Sequence, residues 1–163
     1  PPPPPPAPPT DPTAIATISL LEKMCMPAAD GGDWPSLAKA AGLRKSGNTW
    51  TLKGVGYQFT VNAPGSNPNQ CIVDIVHPVD PEAPAKPLII ALHNWAAVTR
   101  GWTLYRNDKS VSGATEFTTR SWENTENGKA YALVLTTMRK ADGSPTKGSS
   151  DTTEMIYSVT KAP

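Results

Sequence analysis

Nine of the first twelve residues are proline: Pro1, Pro2, Pro3, Pro4, Pro5, Pro6, Pro8, Pro9 and Pro12. Each ring fixes φ and each proline lacks a backbone N–H, so this segment can be neither a helix nor an inner strand. Its default form is an extended polyproline II rod, rising about 3.1 Å per residue. The chain therefore divides into a proline-rich extended arm or linker, residues 1–12, and a single α+β domain, residues 13–163. Because the sequence opens on Pro1 and not on methionine, the expectation is that a preceding segment has been removed. The arm then reads in one of two ways. It is a stiff spacer behind a cleaved signal or anchor. Or Pro1, Pro2, Pro3, Pro4, Pro5, Pro6, Pro8 and Pro9 form a strip that docks in an aromatic groove of a partner.

The remaining chain is long enough for one core and too short for two ordinary domains. At 163 residues it can bury roughly 70% of the surface that it exposes when unfolded, and so needs no metal to fold. Cys25 and Cys71 are the only cysteines. An isolated pair in a chain expected to be processed suggests a disulfide and an oxidising compartment. Cys25 falls near the end of the first expected helix and Cys71 at the start of an expected strand, so the bridge would join helix to sheet. Neither cysteine has a neighbouring cation that would make it a reactive thiolate. The absence of any Asn-x-Ser/Thr sequon favours a bacterial periplasm or cell envelope over a eukaryotic secreted setting.

Asp11-Pro12 reads as an N-cap followed by proline in the first helical position. Ile15, Ile18, Leu21 and Cys25 mark an apolar helix face, and Pro27 is expected to end that helix. Asp33 caps a second short helix, which Gly42 closes as its left-handed terminal residue with Leu43 as the apolar follower. Strands are expected at Thr49–Lys53, Tyr57–Val61 and Cys71–His77, the last apolar on nearly both faces and therefore central. A third helix spans about Pro87–Thr99, with Leu88, Leu92, Trp95 and Ala96 as its stripe. Four further strands follow, at Trp102–Arg106, Ala114–Trp122, Lys129–Met138 and Thr152–Thr160. Asn127-Gly128 marks a hairpin between the second and third of these. No parallel βαβ rhythm is present. The expected fold is a single α+β domain, in which two N-terminal helices precede an antiparallel sheet and one helix lies between a three-strand and a four-strand meander. Trp50-Thr51-Leu52 and Trp102-Thr103-Leu104 echo each other faintly, a match short enough to arise by chance.

Few chemistries find support. The two cysteines, 46 positions apart, and two histidines cannot build the four-ligand zinc modules that need Cys-x-x-Cys pairs, and no cofactor motif is present. Gly54-Val55-Gly56 runs into Tyr57-Gln58-Phe59, which is strand-like and not the helix start that a phosphate loop needs. No basic run points to nucleic acid, and no apolar stretch is long enough for a membrane span. No serine sits in a Gly-x-Ser-x-Gly elbow, and neither His77 nor His93 has a carboxylate beside it in sequence. No catalytic residue is assigned. Asp74 interrupts the apolar run Ile72–Val76, and its expected place is the solvent side of the sheet or a pairing with Arg120.

The five tryptophans are the unusual content. Trp95 belongs to a helix stripe, whereas Trp50, Trp102 and Trp122 fall in expected strands and are candidate anchors for a protein partner or a cell-wall glycan. The reading that follows is a non-catalytic secreted or envelope module, an accessory subunit that binds another macromolecule and is tethered or docked through its arm. The alternative is a small periplasmic hydrolase of cell-wall or other polymeric substrate, with its acid and base drawn from Asp74, Glu116 and His93.

Overall fold

The computed structural model describes all 163 residues, Pro1–Pro163. Three helical bodies cover one face of a single eight-stranded antiparallel sheet. The first body begins at α1 (Pro12–Leu20), where the Asp11 carboxylate accepts a hydrogen bond from the Ala14 N–H at 2.9 Å and Pro12 opens the first turn. It continues through a π-helical turn (Leu21–Cys25) into α2 (Met26–Ala29). Pro27 therefore does not end the helix as the sequence suggests. The preceding turn is widened, with the Met26 N–H reaching back to the Leu21 carbonyl, and the helix passes through the proline instead of breaking. Of the expected stripe, Leu21 and Cys25 are buried and Ile18 packs against the core, but Ile15 is exposed; Ala14, Thr17, Met24 and Ala28 complete the buried face.

The second body is α3 (Trp34–Ala40), capped by Asp33 and closed by Gly42 at φ +90°, with Leu43 buried behind it. The third is α4 (Lys86–His93), which continues as a π-helical turn (Asn94–Thr99). Its buried residues include Leu88, Leu92, Trp95 and Ala96, those that the periodicity marks.

Four strands, not three, precede α4: β1 (Arg44–Ser46), β2 (Thr49–Lys53), β3 (Gln58–Asn62) and β4 (Gln70–Pro78). The unexpected β1 is short, charged and exposed, a form that protects a sheet edge from unwanted pairing and leaves no apolar alternation to read. After α4 come β5 (Thr103–Ser112), β6 (Thr115–Glu126), β7 (Lys129–Lys140) and β8 (Ser150–Lys161). The spatial order is β1-β2-β3-β4-β8-β7-β6-β5. Each half of the chain is thus a helical segment followed by a four-stranded meander, and the two meanders join through their last strands. The Trp-Thr-Leu echo does not follow this repeat, since Trp50 lies in the second strand of its half and Trp102 precedes the first strand of the other.

Alternation along the central strands separates two faces. Cys71, Val73, Ile75 and His77 on β4 and Asp151, Thr153, Met155, Tyr157 and Val159 on β8 are buried beneath the helices. The disulfide Cys25–Cys71, with Cα atoms 5.3 Å apart, ties α1's continuation to β4 on that face. The intervening residues point to the other face, which no helix covers.

Candidate functional site

The arm lies against its own domain, but only its second half does so. Pro1, Pro2, Pro3, Pro4 and Pro5 are exposed and do not line the groove described next. Pro6 and Pro9 are half-buried, with Pro8 exposed between them. Residues 6–11 stand over the groove between α1 and α4 and enclose with it a cavity of about 520 Å³. Ile18, Pro87, Ile90, Asn94 and Trp95 form the opposite wall. The groove lies where the two helices meet, with Ile18 and the half-exposed Ile90 leaving an apolar surface between them. Trp95 is buried at the back of this groove. The Arg100 guanidinium stacks on its ring at 3.8 Å, and its indole N–H has no hydrogen-bond partner.

The three candidate anchor tryptophans occupy separate places, and the arm reaches none of them. Trp122 is wholly buried and its indole N–H donates to His93 Nδ1 at 3.1 Å. It is a packing residue between β6 and α4, and its ring is closed to any partner. The same bond shows that His93 faces the sheet and not the polar side of its helix. Trp102 is 8% exposed and packs edge-on against Trp95 and near-parallel to Tyr157. With Tyr131, Tyr157, Arg100, Asn124 and Glu126 it borders a cavity of about 280 Å³. Trp50 alone of the three is half-buried. It meets Trp34 edge-on at 5.7 Å and borders a smaller cavity with Pro35 and Pro64.

Sequence reasoning missed a buried polar network at the β4–β8 end of the covered face. Asp151, paired with His77 in the sheet register, is held by Arg139 through two guanidinium nitrogens, Nε to Oδ1 at 3.0 Å and Nη2 to Oδ2. His77 Nδ1 lies 3.0 Å from the Pro78 carbonyl, which can only accept, so Nδ1 carries the proton and Nε2 accepts from the Thr153 hydroxyl at 2.7 Å. Burial pulls the His77 pKa below its ordinary value. The Pro78 carbonyl and the Asp151 and Asp11 charges oppose that pull in part. His77, Asp151 and Thr153 are each at most 4% exposed, so the network braces the sheet from within. His77 and Pro78 on β4 are far in sequence from Arg139, Asp151 and Thr153 on β7 and β8, and only the sheet register unites them.

Asp74 lies on the uncovered face, and Arg120, beside the buried Leu135, lies on the covered one, so the two do not pair. Directly across from Asp74 is Glu154. Both carboxyls are pushed above the usual carboxylate range, Asp74 by burial and Glu154 by burial and then by the Asp74 charge. Glu116 is on the covered face beside Lys109, 3.6 Å away, and His93 is occupied by Trp122. The three residues from which a hydrolase would draw its acid and base therefore do not converge.

No protein-family model matches the chain, and no curated protein matches it. Among solved structures, the crystal structure of LpqN, involved in cell envelope biogenesis of Mycobacterium tuberculosis, is similar at 12% identity over 73% of this chain and 69% of that one, with a TM-score of 0.39.

Proposed function

We propose that this chain is a non-catalytic module of the cell envelope or the secreted space that binds another macromolecule as an accessory subunit. Residues 1–12 serve as the arm that tethers or docks it, and residues 13–163 form the single folded domain. Within the arm, Pro1, Pro2, Pro3, Pro4 and Pro5 are the free stretch that a partner can meet, and Pro6, Pro8 and Pro9 belong to the part that lies over the domain. The observation that carries the reading is the seating of residues 6–11 over the apolar α1–α4 groove, which makes the arm part of a recognition surface and not only a leash. The buried disulfide supports the oxidising compartment. For a glycan partner, the cavity beside Trp102, Tyr131 and Tyr157 supplies aromatic faces and the polar groups of Arg100 and Glu126. The hydrolase reading loses its support with the separation of Asp74 from Glu116 and His93.

A photo-reactive amino acid at Ala7 tests the arm. In envelope extracts it gives a discrete adduct that a synthetic peptide of residues 1–10 suppresses. No adduct, together with a monomer at every concentration, would remove the reading.

A further inference from the structure

We infer that the uncovered face of the sheet is a docking surface for an amphipathic helix of a protein partner that carries an arginine or lysine inside its apolar stripe. This rests on the reading of the chain as a binding module, but it concerns the face opposite the arm. An antiparallel sheet with one bare face alternates apolar-in and polar-out. Here the bare face of the inner strands breaks that rule. Ile72 pairs with Ile156 and Ile156 with Val134, and a further row runs Val76, Thr152, Met138, Phe117, apolar but for its threonine. All are half-buried by their neighbours alone, and none belongs to the core beneath the helices.

At the centre of this apolar field stand Asp74 and Glu154, side by side across β4 and β8 with Thr60 and Thr136 outside them. Neither carboxyl has a side-chain hydrogen bond, and none of the six ion pairs includes either one. Like charges placed directly opposite in a sheet are unfavourable, and apolar surroundings worsen this. The cations on the same face are Arg106, paired with Asp108, and Arg44, Lys53 and Lys140 near strand ends and edges. A cation brought by a partner would relieve both carboxylates at once.

Charge selects the occupant. A second copy stacked face to face would set one acid pair against another, and nucleic acid would be repelled. The backbone groups of the inner strands are used within the sheet, so recognition must pass through side chains, which excludes strand addition. A helix laid on the face supplies apolar side chains along one stripe and completes a second helical layer.

The probe is a synthetic amphipathic peptide of about sixteen residues, long enough to cross five strands, with one arginine in the middle of its leucine stripe. A twin carries glutamate there. Methyl-resolved NMR of the full chain follows Ile72, Val76, Val134, Met138 and Ile156. Saturating shifts at these methyls are expected, with the arginine peptide binding at least about tenfold more tightly than its twin. Asp74→Asn with Glu154→Gln should cut that preference to about threefold or less without lowering Tm. The inference is overturned if these methyls do not move at about millimolar peptide, if both peptides bind equally, or if the shifts fall on the α1–α4 groove. Cross-linking through Ala7 does not use this face, so failure of the arm reading and failure of this inference are read separately.

Discussion

Asp74 and His77, three residues apart on β4, point to opposite faces and give the stability of the protein opposite slopes with pH. Asp74 and Glu154 have folded pKa values raised above their unfolded ones, so their ionised forms weaken the fold at neutral pH. That penalty is relieved as pH falls through the raised values and is absent below the unfolded ones. Both groups are partly open to solvent, which screens the penalty. Asp74→Asn should therefore raise stability at pH 7 by about 0.2–1 kcal/mol, the scale of a cross-strand pair, and the gain should vanish near about pH 4. His77 has a folded pKa lowered below 6.5. Its contribution is complete above that unfolded value and is lost as pH falls through it toward the folded one. His77→Gln should be less stable at about pH 7.5 and should flatten the decline below about pH 6.5 that the natural protein shows. Urea midpoints between about pH 4 and 8 for the three proteins separate the two slopes. The sequence alone made Asp74 visible as a charge in an apolar run. Glu154, its neighbour, lies far along the chain in an ordinary polar-apolar alternation, and nothing local marks it.

At the scale of elements, the readable parts were those with a local physical signature. The Asp11-Pro12 and Asp33-Pro35 helix starts, the Gly42 stop and the α4 stripe are set by residues within a few positions of one another, and each is found where local chemistry places it. The same holds for the β6–β7 hairpin, whose Asn127 and Gly128 both have positive φ, 52° and 76°. Gly128→Val should cost about 1 kcal/mol or more, because a β-branched residue is strained there, and equilibrium unfolding in urea would register it. What was illegible depends on tertiary context. Pro27 is tolerated only because a π-helical turn precedes it, and β1 is held only by its pairing with β2. The Arg139–Asp151 pair between β7 and β8 belongs with these. Arg139→Met leaves a carboxylate that is 1% exposed without its cation and should cost about 3–5 kcal/mol in urea unfolding. Arg139→Met with Asp151→Leu should cost less than the single replacement, since no orphaned charge remains. A double replacement that costs the sum of two large losses would show that the pair is worth more than the apolar contacts that replace it.

The whole molecule is two helix-then-meander halves that meet at β4 and β8, with the helices gathered on one side. This arrangement leaves the first half poorly secured by local contacts, since α2, α3 and β1 to β3 are short and β1 is a three-residue edge. The disulfide answers that weakness. It closes a loop of 46 positions that contains all of those elements, and it fastens both ends of the loop to the core, Cys25 wholly buried and Cys71 1% exposed. The chain-entropy account gives about 4 kcal/mol for a loop of that length, and natural bridges commonly contribute about 2–4 kcal/mol. Cys25→Ala with Cys71→Ala should therefore lower Tm by roughly 6–12 °C in a domain of this size. The loss should fall first on the β1–β3 half, where hydrogen exchange of β2 and β3 amides should accelerate more than that of β6 and β7. Because neither sulfur is accessible, reductant alone should leave the folded protein bridged for as long as it stays folded, and reduction should follow the unfolding rate. Uniform acceleration of exchange across all eight strands would mean that the halves unfold as one unit and that the bridge stabilises the whole sheet equally.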